Sequence, residues 1–304
     1  MKRNNYIDAI EALKIASDIT DHLFSSLTID KVGGIDPKEV MVIVDNYYKN
    51  YSELLNIKNI LINFRVIINN VIRKRGISSA EELRLLGQAL RNVINEYINE
   101  NMNFIENYCR NNLRNLNILI VPPGNLLNVC IKKIKGRIYT IIPRLIGKNE
   151  SSTNIYSKAT LVPAAYIQGI IKDDVDSVVV QADSVFQQGL YSPPGSLAAV
   201  KVAREEGLRI IALSTGMVVR PTRISDLISG LKESIHFMME WGEEISVYSN
   251  DAISMNDVDE LILGFDGPVD LSSIKNISSR LLKTNSTHIN YILKNLLEKM
   301  KGLV

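Results

Sequence analysis

The first third of the chain has apolar residues spaced three and four positions apart, which is the period of amphipathic helices. This pattern covers residues 6–28, 38–75 and 79–110. The second segment shows the spacing with Leu54, Ile57, Leu61, Phe64 and Ile68. The pattern predicts an all-helical N-terminal domain, residues 1–112.

Local signals predict where two of these helices begin and end. Asp36 can accept hydrogen bonds from the free amides of a first helical turn, and Pro37 suits the first helical position. The basic triplet 73–75 precedes Gly76, an order typical of a helix C-terminus, because cations oppose the negative end of the helix dipole and glycine adopts the left-handed conformation. A contact with phosphate or RNA is the alternative function of the triplet.

From residue 117 the pattern changes to short apolar runs separated by helix-length segments. The runs are NILIV (117–121), RIYTII (137–142), KATLV (158–162), VDSVVVQ (175–181), LRIIALS (208–214) and EEISVY (243–248). Runs rich in valine and isoleucine that alternate with helical segments such as 195–206 predict βαβ units. The predicted fold class is therefore α/β, with a doubly wound, mostly parallel sheet after the helical domain.

In a doubly wound sheet, ligands bind beyond the carboxyl ends of the strands. The candidate segments are VPPGN, PRLIGKN, QADS and STGMVVRPT, each at the end of a predicted strand. The polar loop 145–157 also follows a strand end, and such a loop can act as a lid.

Composition and charge favour a soluble globular protein. The chain has 304 residues, 46% of them hydrophobic, and 35 basic against 33 acidic side chains leave a net charge of +2. This balance gives no electrostatic argument for nucleic acid or an anionic membrane as the main partner. No uninterrupted apolar run reaches the ~18 residues of a membrane span, and the N-terminus lacks the apolar core of a signal peptide. We expect a cytoplasmic protein.

The cysteines and histidines give no metal motif. Cys109 and Cys130 lack the paired CxxC spacing, so we expect neither a disulfide framework nor a zinc site. His22, His236 and His288 lie too far apart in sequence for a local metal motif. We therefore expect no metal and no cofactor.

Asp183 directly follows the apolar run VVVQ and is the first candidate for catalysis. A carboxylate at a strand end among apolar neighbours can have a raised pKa and act as a general acid or base. Aspartate also commonly ends strands by bonding nearby backbone amides. Both interpretations remain open from local sequence.

Five further residues are candidates for ligand binding. Gly124 and Asn125 can bring backbone amides toward an anion at a helix N-terminus, although the lysine of a P-loop and a GxGxxG motif are missing. Gly195 and Ser196 open a second helix that offers free amides. Arg144 can bind phosphate with its planar fork, and a surface salt bridge is its alternative role.

The stretch VDSVVVQADSVFQQGLYSPPGS (175–196) resembles the segment VDxVxxGADxVxxxGxVxNKxGT of the initiation factor 2B alpha/beta/delta family. FDGP (265–268) is similar to the family's late Phe/Tyr-Asp-x-x-Pro segment. This family combines translation-factor regulatory subunits with ribose-1,5-bisphosphate and methylthioribose-1-phosphate isomerases. The resemblance spans nearly the whole chain and implies a Rossmann-like domain over residues 113–304. It also implies association as a homodimer or larger assembly, with translation initiation factor subunits as partners.

The resemblance also implies where isomerase chemistry would lie. The family's isomerases use a cysteine at the end of the first strand together with the aspartate of Gly-Ala-Asp to move protons between C1 and C2 of a phosphorylated aldose. Asp183 aligns with that aspartate. Pro122 or Pro123 falls at the cysteine position, and Cys130, which is expected to be buried and inert, should not replace it.

Other motifs of the family have also lost residues that the isomerases carry. Gly-Ala-Asp is Gln-Ala-Asp at 181–183, Asn-Lys-x-Gly-Thr is Ser-Pro-Pro-Gly-Ser at 192–196, and Glu-Ser-Arg-Pro is Ile-Pro-Arg-Leu at 142–145. Asp-Ser-Ala is Ala-Ala-Tyr at 164–166. The Arg-Gly-Ala phosphate loop has no counterpart beyond Arg3, which lacks the glycine.

We therefore expect an initiation-factor-2B-related regulatory or binding protein that lacks isomerase activity and binds a phosphorylated sugar or nucleotide. The alternative is a divergent aldose-ketose isomerase with Asp183 as base and Arg144 on a phosphate, which needs a second titratable group facing Asp183. A third hypothesis is a scaffold that binds RNA, and only the triplet 73–75 and the basic cluster 132–137 support it. We do not expect nucleic acid as a partner.

Overall fold

The computed structural model describes residues 7–27, 36–51, 55–121, 124–141, 157–220, 235–238, 244–247, 251–269, 271 and 274–301. Its helices are α1 (Ala9–Ser26), α2 (Pro37–Lys49), α3 (Leu55–Arg75), α4 (Ala80–Asn112), α5 (Asn125–Ile131), α6 (Ile167–Asp174), α7 (Ser196–Glu205) and α8 (Ile274–Lys301). The predicted helical N-terminal region is confirmed, and the apolar period over 38–75 divides into α2 and α3.

The ends of the N-terminal helices follow local chemistry. The Asp36 side chain accepts a hydrogen bond from the Lys38 amide at the start of α2, as predicted. Ser79 and Glu82 form a reciprocal capping box at the start of α4. Gly76 adopts a φ of +65° directly after α3, which confirms the predicted helix end. These caps satisfy backbone groups that a helix leaves without partners.

The strands of the described residues form three sheets. They are β1 (Ile118–Val121), β2 (Ile138–Ile141), β3 (Thr160–Val162), β4 (Ser177–Gln181), β5 (Ser184–Phe186), β6 (Gly189–Ser192), β7 (Arg209–Ser214), β8 (Val219–Arg220), β9 (Ile235–Met238), β10 (Glu244–Val247), β11 (Asp251–Ser254), β12 (Glu260–Leu263) and β13 (Pro268–Val269). The main sheet has the order β13-β12-β7-β4-β1-β2-β3. Its strands run parallel except β13, which confirms the doubly wound, mostly parallel architecture.

Alternate residues of the main sheet enter two different apolar cores. Ile118 and Ile120 of β1 pack into a core built with α1, α3, α4, α5 and the C-terminal part of α8. Leu119 and Val121 point to the other face, which α6 and α7 cover. Both faces are buried, which explains why the strands are continuous apolar runs. The first core extends from the helical region into the sheet, and a domain boundary at residues 112 and 113 stays a prediction.

One predicted strand has a different partner from the one expected. EEISVY was assigned to the parallel sheet, but β10 pairs antiparallel with β9 in a separate two-stranded sheet. The neighbour of β7 is β12, whose run ELIL the sequence analysis missed. Both runs are short and apolar, and periodicity does not specify which strand a run pairs with.

A four-stranded sheet with the order β11-β6-β5-β8 begins directly after Asp183. Its strands β5 and β6 are antiparallel, while β8 joins β5 in parallel. We call it the small sheet. It places the start of β5 close to the end of β4.

Candidate functional site

The strand order of the main sheet reverses between β1 and β4, since β2 and β3 lie beyond β1 while β7 and β12 lie beyond β4. Ligands of doubly wound sheets bind at such a point, outside the carboxyl ends of the strands. We call this region the carboxyl edge. Four of the residues singled out from sequence, Gly124, Asn125, Gly195 and Ser196, begin the helices that follow it.

The structure brings the ends of β1 and β4 into direct contact. The Leu126 amide donates to Gln181 Oε1 at 3.1 Å. A Cβ on Gly124 would lie 2.2 Å from the same oxygen, so any larger residue there would force the Gln181 side chain to move. A Cβ on Gly195 would lie 3.8 Å from Val121 Cγ1, which places the start of α7 next to the end of β1. The ends of β1 and β4 and the start of α7 therefore lie close together at the carboxyl edge.

The amides at Asn125 are already occupied by a carboxylate of the chain. Asp8 Oδ2 accepts from the Asn125 backbone amide at 2.6 Å and from Asn125 Nδ2 at 2.9 Å. Asp8 Oδ1 accepts from the Ile10 and Glu11 amides, both at 2.9 Å. One carboxylate, 4% exposed, therefore caps both α1 and α5. The sequence analysis did not single out Asp8, although an aspartate directly before an amphipathic run is a helix-start signal.

A second carboxylate occupies the amides at the start of α7. Asp251 Oδ2 accepts from the Leu197 amide at 2.9 Å. Burial raises the pKa of Asp251, and hydrogen bonds from the amides of Leu197, Gly195 and Ser196 oppose that shift. Gly195 has a φ of +93°, a backbone conformation that favours glycine. Both helix N-termini predicted as anion sites thus hold an aspartate from elsewhere in the chain.

Asp183 lies between β4 and the small sheet and is fully buried. Its amide donates to the Tyr191 carbonyl at 2.8 Å, and its Oδ1 accepts from Gln181 Nε2 at 3.1 Å. Gln181 therefore connects Asp183 to the first turn of α5 through the two ends of its amide. This glutamine replaces the glycine of the related motif, and the sequence analysis noted the change without assigning it a role.

Cys130 is not a free thiol. It forms a disulfide with Cys109, with the two Cα atoms 5.3 Å apart, and both residues are fully buried. The expectation that the cysteines form no disulfide is therefore wrong. The bond joins the end of α4 to α5, a tertiary contact that the spacing of two cysteines in sequence does not reveal. A disulfide sulfur cannot serve as the second titratable group that the isomerase hypothesis needs.

A polar cluster between α3 and the small sheet contains residues that were not predicted as site residues. Asn59 of α3 donates from Nδ2 to Ser184 Oγ at 3.3 Å. Arg220, at the end of β8, donates from Nη1 to Asn59 Oδ1 at 2.9 Å. We call these three residues the Arg220 cluster. Arg220 belongs to the candidate segment STGMVVRPT, whereas nothing in the sequence distinguishes Asn59 from the other asparagines of α3.

Several sequence candidates lie outside the described residues. These are Arg3, Pro122, Pro123, Arg144 and the part of the predicted lid over 145–156. Their proposed roles stay predictions.

The histidine near the C-terminus belongs to a buried polar network. The Tyr97 hydroxyl lies 2.5 Å from Thr215 Oγ1 and 2.6 Å from His288 Nδ1. The His288 ring stacks on Phe265 of the FDGP segment, with centroids 4.2 Å apart. Burial raises the pKa of the Tyr97 hydroxyl, which stays protonated. The network joins α4, the end of β7 and α8. Over the described ranges, no group of three or more histidine, cysteine or acidic side chains is arranged to hold a metal ion.

The basic clusters considered for RNA make internal contacts. Lys133 pairs with Glu106 at 2.8 Å and Arg137 with Asp174 at 3.4 Å. Arg75 of the triplet donates to the Leu297 carbonyl of α8. Within the part of the chain that the structure describes, no helix is long and apolar enough to cross a bilayer.

Solved structures with the same fold were found over most of the chain. No protein-family model matches the sequence, and no curated protein does. The chain is similar to the tetrameric eIF2B-beta2-delta2 complex from Chaetomium thermophilum at 17% identity, covering 90% of each chain with a TM-score of 0.65. It is similar to translation initiation factor eIF-2B from Pyrococcus horikoshii OT3 at 12% identity, covering 88% of this chain and 93% of that one, TM-score 0.68.

An enzyme shares the fold as well. The 5-methylthioribose 1-phosphate isomerase from Pyrococcus horikoshii OT3 is similar at 15% identity, covering 92% of this chain and 84% of that one, with a TM-score of 0.60. The fold predicted from the motif around Asp183 is therefore confirmed. It is the fold of initiation factor 2B subunits and of a related isomerase, and function must be argued from the site.

Proposed function

We propose that this protein is a regulatory or binding relative of initiation factor 2B subunits that lacks aldose-ketose isomerase activity. The observation that carries the proposal is the occupation of both helix N-termini at the carboxyl edge by Asp8 and Asp251. A phosphorylated substrate would have to displace side-chain oxygens to reach these amides, because the Asn125, Leu126 and Leu197 amides already donate to Asp8, Gln181 and Asp251. The fold is retained, but its helix-end anion sites are used for internal contacts.

The chemistry around Asp183 supports the same conclusion. Moving a proton from C2 to C1 as an aldose becomes a ketose needs an acid and a base placed beside the substrate. Asp183 Oδ1 is held by the amide of Gln181, which does not titrate. The sulfur of Cys130 is bonded to Cys109. Neither group can serve as the second acid or base, and losing one catalytic group lowers rates by orders of magnitude.

A coupled isomerisation assay with ribose 1,5-bisphosphate and 5-methylthioribose 1-phosphate tests the proposal. We expect no ketose product above the rate without protein. Turnover that disappears in Asp183→Asn would overturn the proposal and establish the isomerase alternative. Asp36→Asn is the matched control, because it removes an exposed carboxylate that caps α2 far from the carboxyl edge.

We further propose that the protein assembles with itself or with initiation factor 2B subunits. The support is the shared fold with a chain of the tetrameric eIF2B-beta2-delta2 complex. Light scattering of the purified protein should give a mass of two or more chains. A concentration-independent monomer that also fails to bind purified initiation factor 2B subunits would contradict this part of the proposal.

A further inference from the structure

Arg220 is a half-buried cation with an incomplete set of partners. To the described residues its guanidinium makes one hydrogen bond, from Nη1 to Asn59 Oδ1. A guanidinium carries five N–H donors in a planar fork, so most of its donors have no acceptor among these residues. Among the residues that the structure describes, no carboxylate pairs with Arg220.

Other arginines of the described chain do have such partners. Ion pairs with aspartate or glutamate hold Arg65, Arg91, Arg204 and Arg209. In each of these four pairs, the charge of the arginine is balanced by an acidic side chain of the same chain. Arg220 is more buried than the exposed Arg65 and Arg91, yet no acidic side chain of the described ranges neutralises its charge in this way. A cation kept partly out of water without a counterion is costly unless an anion joins it.

The surroundings of Arg220 orient it toward a defined place. β8 pairs with β5, with Arg220 opposite Phe186, so the side chain starts from a fixed strand of the small sheet. Asn59, 3% exposed, binds Arg220 through its oxygen and Ser184 through its nitrogen. Ser184 directly follows Asp183 at the carboxyl edge. The cluster therefore lies between α3 and the small sheet, next to the place where the fold binds ligands.

Burial also acts on the charge itself. Removal from water lowers the pKa of Arg220 from its ordinary value, and no anion of the described residues opposes this shift. The guanidinium still stays protonated at neutral pH, because arginine titrates far above it. Its charge is therefore permanent, partly desolvated and open to an incoming oxyanion.

We propose that the Arg220 cluster binds the phosphate group of a small phosphorylated ligand, with Asn59 holding the guanidinium in position. The inference rests on the proposed binding function and names the residue that would recognise the ligand. The fork of Arg220 can donate two parallel hydrogen bonds to phosphate oxygens, which is the strongest arrangement available to this side chain. The helix N-termini are not needed for this contact, since Asp8 and Asp251 occupy them.

Thermal unfolding and calorimetry with inorganic phosphate and ribose 5-phosphate test the proposal. We expect both to raise the unfolding temperature, because a ligand of the folded state stabilises it. Unphosphorylated ribose should give no shift. Succinate at the same ionic strength supplies a dianion without phosphate, and a shift with succinate but none with phosphate would overturn the assignment.

Two variants test the residue. Arg220→Gln should weaken phosphate binding about tenfold or more, because the charge-assisted bonds are lost. Asn59→Asp should weaken it similarly, since it places a carboxylate of the chain against the same guanidinium while preserving the side-chain shape. The control is Arg91→Gln, which removes the same charge from a side chain paired with Asp18 and Asp21 at the surface. This control should bind phosphate as the wild type does.

The proposal fails if the wild type shows no shift with either phosphate compound, or if Asn59→Asp and Arg220→Gln bind them unchanged. If Arg220→Gln does not fold, Asn59→Asp alone decides. Isomerase turnover would overturn the proposed function but not the phosphate site, because turnover and phosphate binding are measured in separate experiments. If Arg220→Gln and Asn59→Asp lose phosphate binding and Arg91→Gln keeps it, the site is supported. This conclusion holds whether or not the isomerisation assay detects turnover.

Discussion

Asp8 connects the first helix of the chain to the carboxyl edge of the sheet. Its two oxygens accept four hydrogen bonds from three residues, and two of these are backbone amides of α1. Such caps are predictable only in part. Asp36 and Gly76 act on their own helices, so the sequence predicted them. Asp8 also binds Asn125, more than a hundred positions away, and local sequence contains no signal for that contact.

Removing the Asp8 carboxylate should destabilise the protein more than removing an ordinary cap. We expect Asp8→Ala to lower the free energy of unfolding by about 2 to 3 kcal/mol, because two helices lose their N-terminal acceptor. Asp36→Ala, which removes one exposed cap, should cost about 1 kcal/mol. Urea unfolding followed by circular dichroism gives both values. Equal losses in the two variants would show that the bond to Asn125 contributes nothing.

At the scale of elements, periodicity predicted most helices and strands but not their partners. The runs of β1, β4 and β7 are continuous and apolar because both faces of the sheet are covered, and they were found. The run of β12 is equally short and apolar, yet it was missed while that of β10 was placed in the wrong sheet. Pairing depends on where a strand lies after folding, and the pattern within one strand does not contain that information.

The link between α4 and α5 is the other element-scale contact that the sequence analysis did not predict. Cys109 and Cys130 are 21 positions apart, so their bond closes a loop that includes β1. Closing such a loop removes freedom from the unfolded chain.

The double variant Cys109→Ser, Cys130→Ser should therefore be less stable than the oxidised protein by about 3 kcal/mol. Urea unfolding of the oxidised protein, the same protein after reduction, and the double variant measures this. Reduction should have no further effect on the double variant. An oxidised protein that loses no stability on reduction would contradict the prediction.

At the scale of the whole molecule, the helical region and the sheet share polar as well as apolar contacts. Tyr97 of α4 meets Thr215 after β7 and His288 of α8, all fully buried. The sequence analysis treated His288 only as a possible metal ligand. The members of this network come from three distant parts of the chain, so only the folded molecule shows it.

Tyr97→Phe should lower the free energy of unfolding by about 2 kcal/mol, because it leaves a buried hydroxyl and an imidazole nitrogen without their shared partner. The ring contact with Phe265 is preserved in this variant, so packing changes little. Tyr166→Phe is the control, since that side chain is 68% exposed. Its unfolding midpoint should match the wild type, and a similar midpoint for Tyr97→Phe would refute the assignment.

The small sheet has a consequence for the order in which this molecule folds. β11 must find β6 across residues 193–250, which include α7, β7 and β8. Bringing such distant segments together costs chain entropy that nearby helical contacts do not require. The small sheet should therefore close late during folding and open early under denaturant. Arg220 acquires its neighbours when β8 joins β5 in the same sheet, so a bound phosphate would report that this part of the sheet has formed.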